Sequence, residues 1–164
     1  MSKTEENLRQ AFAGECQAAV RYLAFAEKAQ SEGYPGLAKL FRAASRAEIV
    51  HALSHLRASG TVGDTEANVK AAIEGENFEF KEMYPAMVQD AVVENLLEAR
   101  HSLEYAMSIE MIHAKLFKKA LEEESQNAED GYYVCPVCGY TVRGKAPKKC
   151  PYCGVDEKKF IEIE

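Results

Sequence analysis

Residues 48–51 read EIVH and residues 110–113 read EMIH, so one Glu-x-x-His pair occurs twice in the chain. Residues three apart share a helical face, which puts Glu48 beside His51 and Glu110 beside His113. A further glutamate precedes each pair at nearly equal distance: Glu15 lies 33 residues before Glu48, and Glu76 lies 34 before Glu110. All six residues interrupt apolar stripes of helical period: Leu8, Phe12, Glu15, Ala19, Tyr22, Ala26; Leu37, Phe41, Ala44, Glu48, His51; Val69, Ala72, Glu76, Glu79, Met83; and Leu103, Ala106, Glu110, His113, Phe117. Carboxylates rarely enter a core unless they are paired or bind metal. Two helical hairpins, each offering one Glu and one Glu-x-x-His and packed antiparallel, would bring all these groups inward at one level of a four-helix bundle. Oxygen and imidazole donors of this kind suit a pair of iron or manganese ions, whose charge offsets the repulsion among the acids.

A single Glu-x-x-His usually marks a solvated helix face, and the chain carries its own example. Glu98-Ala-Arg-His101 falls off its helix's stripe and lacks a glutamate at the right upstream distance, so it reads as a surface pair. His55, one turn beyond His51, reads as a supporting or structural residue, and Cys16 as a small buried hydrophobe. The stretch EGENFEFKEMYP, residues 74–85, adds a surplus carboxylate, Glu79, one turn from Glu76.

The helical composition runs from residue 4 to about 126. Gly33-Tyr34-Pro35-Gly36 divides the first helix from the second, and the segment from Gly60 to Thr65 divides the second from the third. No glycine occurs between residues 86 and 96, so the third boundary is placed near Gln89 to Glu94. Pro85 is expected to kink or end the third helix. The acidic run from Glu122 to Asp130, before Gly131, reads as a linker. The expected organisation is a helical domain over residues 1–128 and a small module over 129–164.

Four of the five cysteines lie in that module, as Cys135-Pro-Val-Cys138-Gly and Cys150-Pro-Tyr-Cys153-Gly. A module of this size has too little apolar surface to fold alone, and two paired-cysteine turns supply a tetrahedral metal staple. Short strands are expected at Tyr132 to Val134, Tyr140 to Val142 and Phe160 to Ile163. Thiolate spacing alone leaves iron and zinc both open.

The bulk properties narrow the function classes. A formal net charge of −6 argues against a nucleic-acid partner. No apolar run approaches the ~20 residues of a membrane helix. The polar start, MSKTEENLRQ, has no signal-peptide character, so a cytoplasmic protein without disulfides is expected. Residues 132–164 carry six basic and four acidic groups, or +2, leaving −8 for residues 1–131, which favours attraction between the two parts.

Taken together, these residues resemble the rubrerythrins. The resemblance spans essentially the whole chain. It rests on Glu15-Cys-Gln-Ala with Tyr22, Glu48-x-x-His51, Glu76-Asn-Phe-Glu79 followed by Glu82-Met-Tyr84-Pro85, Glu110-x-x-His113, and the motifs CPVCGY and CPYCG. It implies a mainly α fold, a ferritin-like four-helix bundle followed by a small rubredoxin-like β module binding one metal through Cys135, Cys138, Cys150 and Cys153. It further implies a peroxidase reducing hydrogen peroxide to water at two iron ions, with electrons relayed from one iron at the four cysteines. By the same resemblance Glu48 and Glu110 bridge the irons, Glu15 completes one side, and Glu76 with His113 the other. Glu79 and His51 alternate on one iron, Glu79 in the oxidised and His51 in the reduced form. Tyr22 and Tyr84 stand near the site and hydrogen-bond ligand carboxylates. The implied partners are an electron donor such as an NAD(P)H-dependent reductase or rubredoxin, and a second copy in a head-to-tail homodimer whose relay crosses between subunits. The competing readings are a ferroxidase, oxidase or iron-storage protein that uses dioxygen, and a non-enzymatic interaction protein stapled by zinc.

Overall fold

The computed structural model describes residues 2–122 and 131–163. Except for Glu122, the expected linker lies outside these residues, as does the expected boundary between 128 and 129. The chain divides into two compact units, residues 1–63 and 64–164.

The first unit is a hairpin of α1 (Lys3–Ser31) and α2 (Pro35–Ala58). Ser2 begins α1 with a capping box, its hydroxyl accepting from the Glu5 amide while the Glu5 carboxylate accepts from the Ser2 amide. Gly33, at φ 82, ends α1, letting the Tyr34 amide donate to Ala29 O at 2.8 Å and the Gly33 amide to Gln30 O at 3.3 Å. Pro35 then starts α2 where no helical amide is needed. The buried seam consists of small residues: Ala19, Ala26 and Ala29 on α1, with Ala38, Ser45 and Ala52 on α2. Their heptad spacing keeps one seam facing its partner. Large apolar side chains stand outside it, among them Val20, Leu23, Leu40, Val50 and Leu53.

The second unit begins with α3 (Thr65–Phe78), capped by Asp64 Oδ1 accepting from the Ala67 amide at 2.8 Å. A π-helical turn, Glu79–Met83, joins α3 to α4 (Tyr84–Val93). Its cause is Pro85, which has no amide to give the preceding turn and whose ring crowds the carbonyl four residues back. The helix widens there, and the Tyr84 amide donates to Glu79 O, five residues back. Thus Pro85 neither ends nor replaces the helix.

The third boundary lies at Glu94–Leu96, the late edge of the expected window, before α5 (Leu97–Glu122). Asn95 adopts φ 56, and the Leu96 and Asn95 amides donate to Ala91 O and Val92 O at 3.0 and 3.2 Å. This repeats the closure made by Gly33, with asparagine tolerating the left-handed conformation in place of glycine.

The cysteine module contains β1 (Tyr132–Val134), β2 (Thr141–Arg143) and β3 (Ile161–Ile163), in the antiparallel order β2-β1-β3. The second and third strands start one residue later than the sequence suggests. The rings of Tyr140 and Tyr152 are 5.3 Å apart, and that of Phe160 meets Tyr140 edge-on at 6.5 Å. The module lies against α5 of its own chain, where Gly139 is close enough to the buried Ile109 that an added Cβ would sit 3.7 Å from Ile109 Cγ2.

Candidate metal centres

Among the described residues three clusters of ligand-bearing side chains form, each with its donor atoms within 4.8 Å of one another. The first two carry the same chemistry on different helices. In Glu15, Glu48 and His51, the imidazole Nδ1 lies 2.8 Å from Glu48 Oε2 and 4.0 Å from Glu15 Oε1. In Glu76, Glu110 and His113, Nδ1 lies 2.9 Å from Glu110 Oε2 and 3.6 Å from Glu76 Oε2. Six of the seven expected helical ligands are thus brought together in threes, and Glu79 belongs to neither group.

The two groups differ in how firmly they are held. The side chain of His51 is 57% exposed, whereas that of His113 is 27% exposed. His113 Nε2 also lies 2.9 Å from Thr141 Oγ1 on β2. No motif pointed to Thr141, because a lone strand threonine has no sequence signal for a histidine on a distant helix.

Acceptors crowd the second group. Glu76 Oε2 is buried with no hydrogen-bond partner. Burial raises the Glu76 pKa to about 7; hydrogen bonding with Glu110 and the charges of Glu110 and Glu79 add to the rise, while His113 opposes it. Burial also raises the Tyr84 hydroxyl, followed by the charges of Glu110, Glu79 and Glu76. Glu79 and Tyr84 thus share the electrostatic neighbourhood of this group. A cation among these oxygens would satisfy the orphaned acceptor and offset the mutual repulsion, so the donor set fits a metal.

Tyr22 packs in an aromatic cluster, its ring 6.1 Å from Phe41 and 6.3 Å from Phe25. His55 lines a groove with Leu8, Phe12 and Leu56. Glu98 and His101 are exposed, in keeping with a surface pair.

The third cluster is Cys135, Cys138, Cys150 and Cys153. Each CPxCG turn closes identically: the Gly139 amide donates to Cys135 O at 3.0 Å and the Gly154 amide to Cys150 O at 2.9 Å, both glycines at positive φ. The sulfurs of Cys135 and Cys153 lie 3.5 Å apart, and those of Cys138 and Cys150 lie 3.6 Å apart. A metal–sulfur bond of about 2.3 Å gives a tetrahedral edge of about 3.8 Å, so these separations suit four ligands of one ion. Burial pushes the Cys138 thiol up. At Cys150 burial acts in the same sense but is outweighed by the amides of Cys153 and Tyr152, which bring the thiol to about 7.

Comparison with known proteins supplies the family. The family described as Rubrerythrin matches residues 6–121, and that described as Rubrerythrin, rubredoxin-like domain, matches residues 133–161. The chain belongs to the rubrerythrin family. It is 36% identical to Rubrerythrin-2 of Clostridium acetobutylicum, over 96% of this chain and 95% of that protein. It is 34% identical to nigerythrin of Nitratidesulfovibrio vulgaris, over 93% of this chain and 83% of that one. The solved structure of fully reduced, all-ferrous nigerythrin superposes with a TM-score of 0.61 at 29% identity, covering 99% of this chain and 88% of that one. The fold is accordingly a ferritin-like four-helix bundle followed by a rubredoxin-like module. As a rubrerythrin, the protein is an iron oxidoreductase with a di-iron site and a four-cysteine iron site. Among the described residues no helix is long and apolar enough to cross a membrane.

Proposed function

We propose that the protein is a peroxidase that reduces hydrogen peroxide to water. One peroxide takes up two protons and two electrons and yields two waters. The observation that carries the reading is the seat of the cysteine module on α5, with Thr141 bonded to His113 of the second carboxylate group. A one-electron carrier placed there serves a site that must be re-reduced after each turnover, whereas iron storage needs no such relay.

The ligands proposed are Glu15, Glu48 and His51 for one iron, Glu76, Glu110 and His113 for the other, and the four cysteines for the third. The irons supply the redox chemistry; the protein's residues supply protons and fix geometry. Tyr84 keeps its hydroxyl proton and can donate a hydrogen bond to a neighbouring carboxylate. The proposed alternation of Glu79 and His51 is supported by the exposure of His51, whose side chain is about twice as open as that of His113. His51→Ala and Glu79→Ala should each slow anaerobic peroxide consumption with helical content intact; unchanged rates in both variants would remove the alternation.

The reading places the protein in a reducing cytosol, with its helical domain over 1–128, its rubredoxin-like domain over 129–164, and a reductase or rubredoxin as electron donor. A homodimer is supported by the exposed Val20, Leu23, Leu40, Val50 and Leu53, and sedimentation velocity reads it directly. Stopped-flow oxidation of the fully reduced protein tests the function. Peroxide should oxidise it faster than dioxygen does; the reverse order would favour a ferroxidase or oxidase.

A further inference from the structure

The hydrogen bonds around Thr141 run in one direction. Its hydroxyl has a single proton and donates it to Gly139 O at 3.0 Å. Towards His113 Nε2, at 2.9 Å, it therefore presents a lone pair, and the imidazole must donate. A neutral imidazole with its proton on Nε2 turns a bare Nδ1 lone pair towards Glu110 Oε2 at 2.9 Å and Glu76 Oε2 at 3.6 Å. Lone pair facing carboxylate is unfavourable unless a cation stands between them. Without a cation, the proton is better placed on Nδ1, facing Glu110. Nε2 then becomes an acceptor, and the Thr141 hydroxyl can serve it only by leaving the Gly139 carbonyl.

Gly139 belongs to the first cysteine turn, and it is also the residue that meets Ile109, one helical turn before His113 on α5. The same two residues of β2 and its approach thus seat the module and set the histidine. We propose that Thr141 is a positioning residue that holds His113 with its proton on Nε2, so that a divalent cation at Glu76, Glu110 and His113 and the seating of the cysteine module strengthen each other. The proposal rests on the reading of that group as a metal site. Coupling of this kind is reciprocal: whatever the seated module adds to cation affinity, the cation adds to seating. Its size is that of one neutral hydrogen bond made or lost, about three- to tenfold in affinity.

The test uses the full chain with zinc in the cysteine site, titrated with further zinc and followed by nitrogen-15 NMR of the histidine rings. The ring signals of His113 and His51 separate the two carboxylate groups. In the wild type, zinc should shift His113 Nδ1, leave Nε2 protonated, and move the backbone amides of Gly139 and Thr141. Thr141→Val should weaken zinc binding at His113 about three- to tenfold, leave binding at His51 unchanged, and abolish the response of the Gly139 amide. Thr141→Ser, which keeps the hydroxyl, should restore all three properties. Equal zinc affinity at His113 in the wild type and Thr141→Val, with the Gly139 amide responding in both, would overturn the coupling while leaving the metal site standing. A wild type in which zinc never shifts His113 would overturn both.

Discussion

The raised pKa of Glu76, about 7 against an ordinary 4.5, gives the metal-free protein a signed pH dependence. The folded state keeps a proton at this carboxyl over a range in which the unfolded chain has released it. Stability from this group is therefore greatest at and below about pH 4.5 and is lost as the pH rises to about 7. Glutamine has nearly the shape of the protonated acid and cannot ionise. Metal-free Glu76→Gln should accordingly melt at a higher temperature than the metal-free wild type above pH 7, and the two should converge near pH 4.5. Thermal melts followed by circular dichroism across that range check this, and parallel curves would show that Glu76 is not the buried acid described. At this scale the helical ligands were legible because each breaks an apolar stripe, and the cysteines because their turns repeat. Thr141 was not, since its importance comes from the docking of a strand on a helix more than twenty residues earlier in the chain, and a threonine in a strand is what strand propensity alone would choose.

Helix boundaries were legible where glycine or proline marks them and misread where another residue does the same task. Gly33 and Gly60 gave the first two turns. The third was placed early because glycine was taken as the only residue for a left-handed closure, whereas Asn95 fills that position at φ 56. The signal was present as an asparagine just beyond the last turn of an apolar helix. Asparagine tolerates this conformation better than alanine, and glycine better than either. Asn95→Ala should destabilise the fold by up to about 1 kcal/mol, because alanine keeps the Cβ but lacks the short polar side chain that offsets the left-handed cost, whereas Asn95→Gly should match or exceed the wild type in urea melts. The reverse order would mean that the asparagine side chain, not the backbone conformation, holds the turn. Pro85 poses the converse problem: it signals a disturbance without saying which. A kink, an end and a widened turn all relieve the missing amide, and the choice falls to the widened turn because the helix continues with enough length in α4 to pack along α5.

For the whole molecule, the resemblance in sequence extends to both parts and fixes the family, but it does not say which surfaces seat the cysteine module. The ligand motifs carry that information nowhere, because seating depends on surfaces: Ile109 meeting Gly139, and His113 meeting Thr141. Those contacts set the cysteine module beside the second carboxylate group, and the consequence can be read in kinetics. If the cysteine iron returns electrons to the helical site, destroying it should separate the first oxidation from every later one. Cys150→Ser removes a nearly fully buried ligand and with it the four-sulfur cage. The reduced variant, its helical iron content checked by metal analysis, should still consume about one peroxide per di-iron site, because that step draws on electrons already stored there. Continuous turnover with a reductase should fall by more than tenfold, because the site cannot be refilled at the same rate. Undiminished turnover would mean that the external donor reaches the helical site directly and that the module serves another purpose. Loss of the first oxidation as well, with iron content and helical signal unchanged, would instead place the module in the chemistry of peroxide reduction itself.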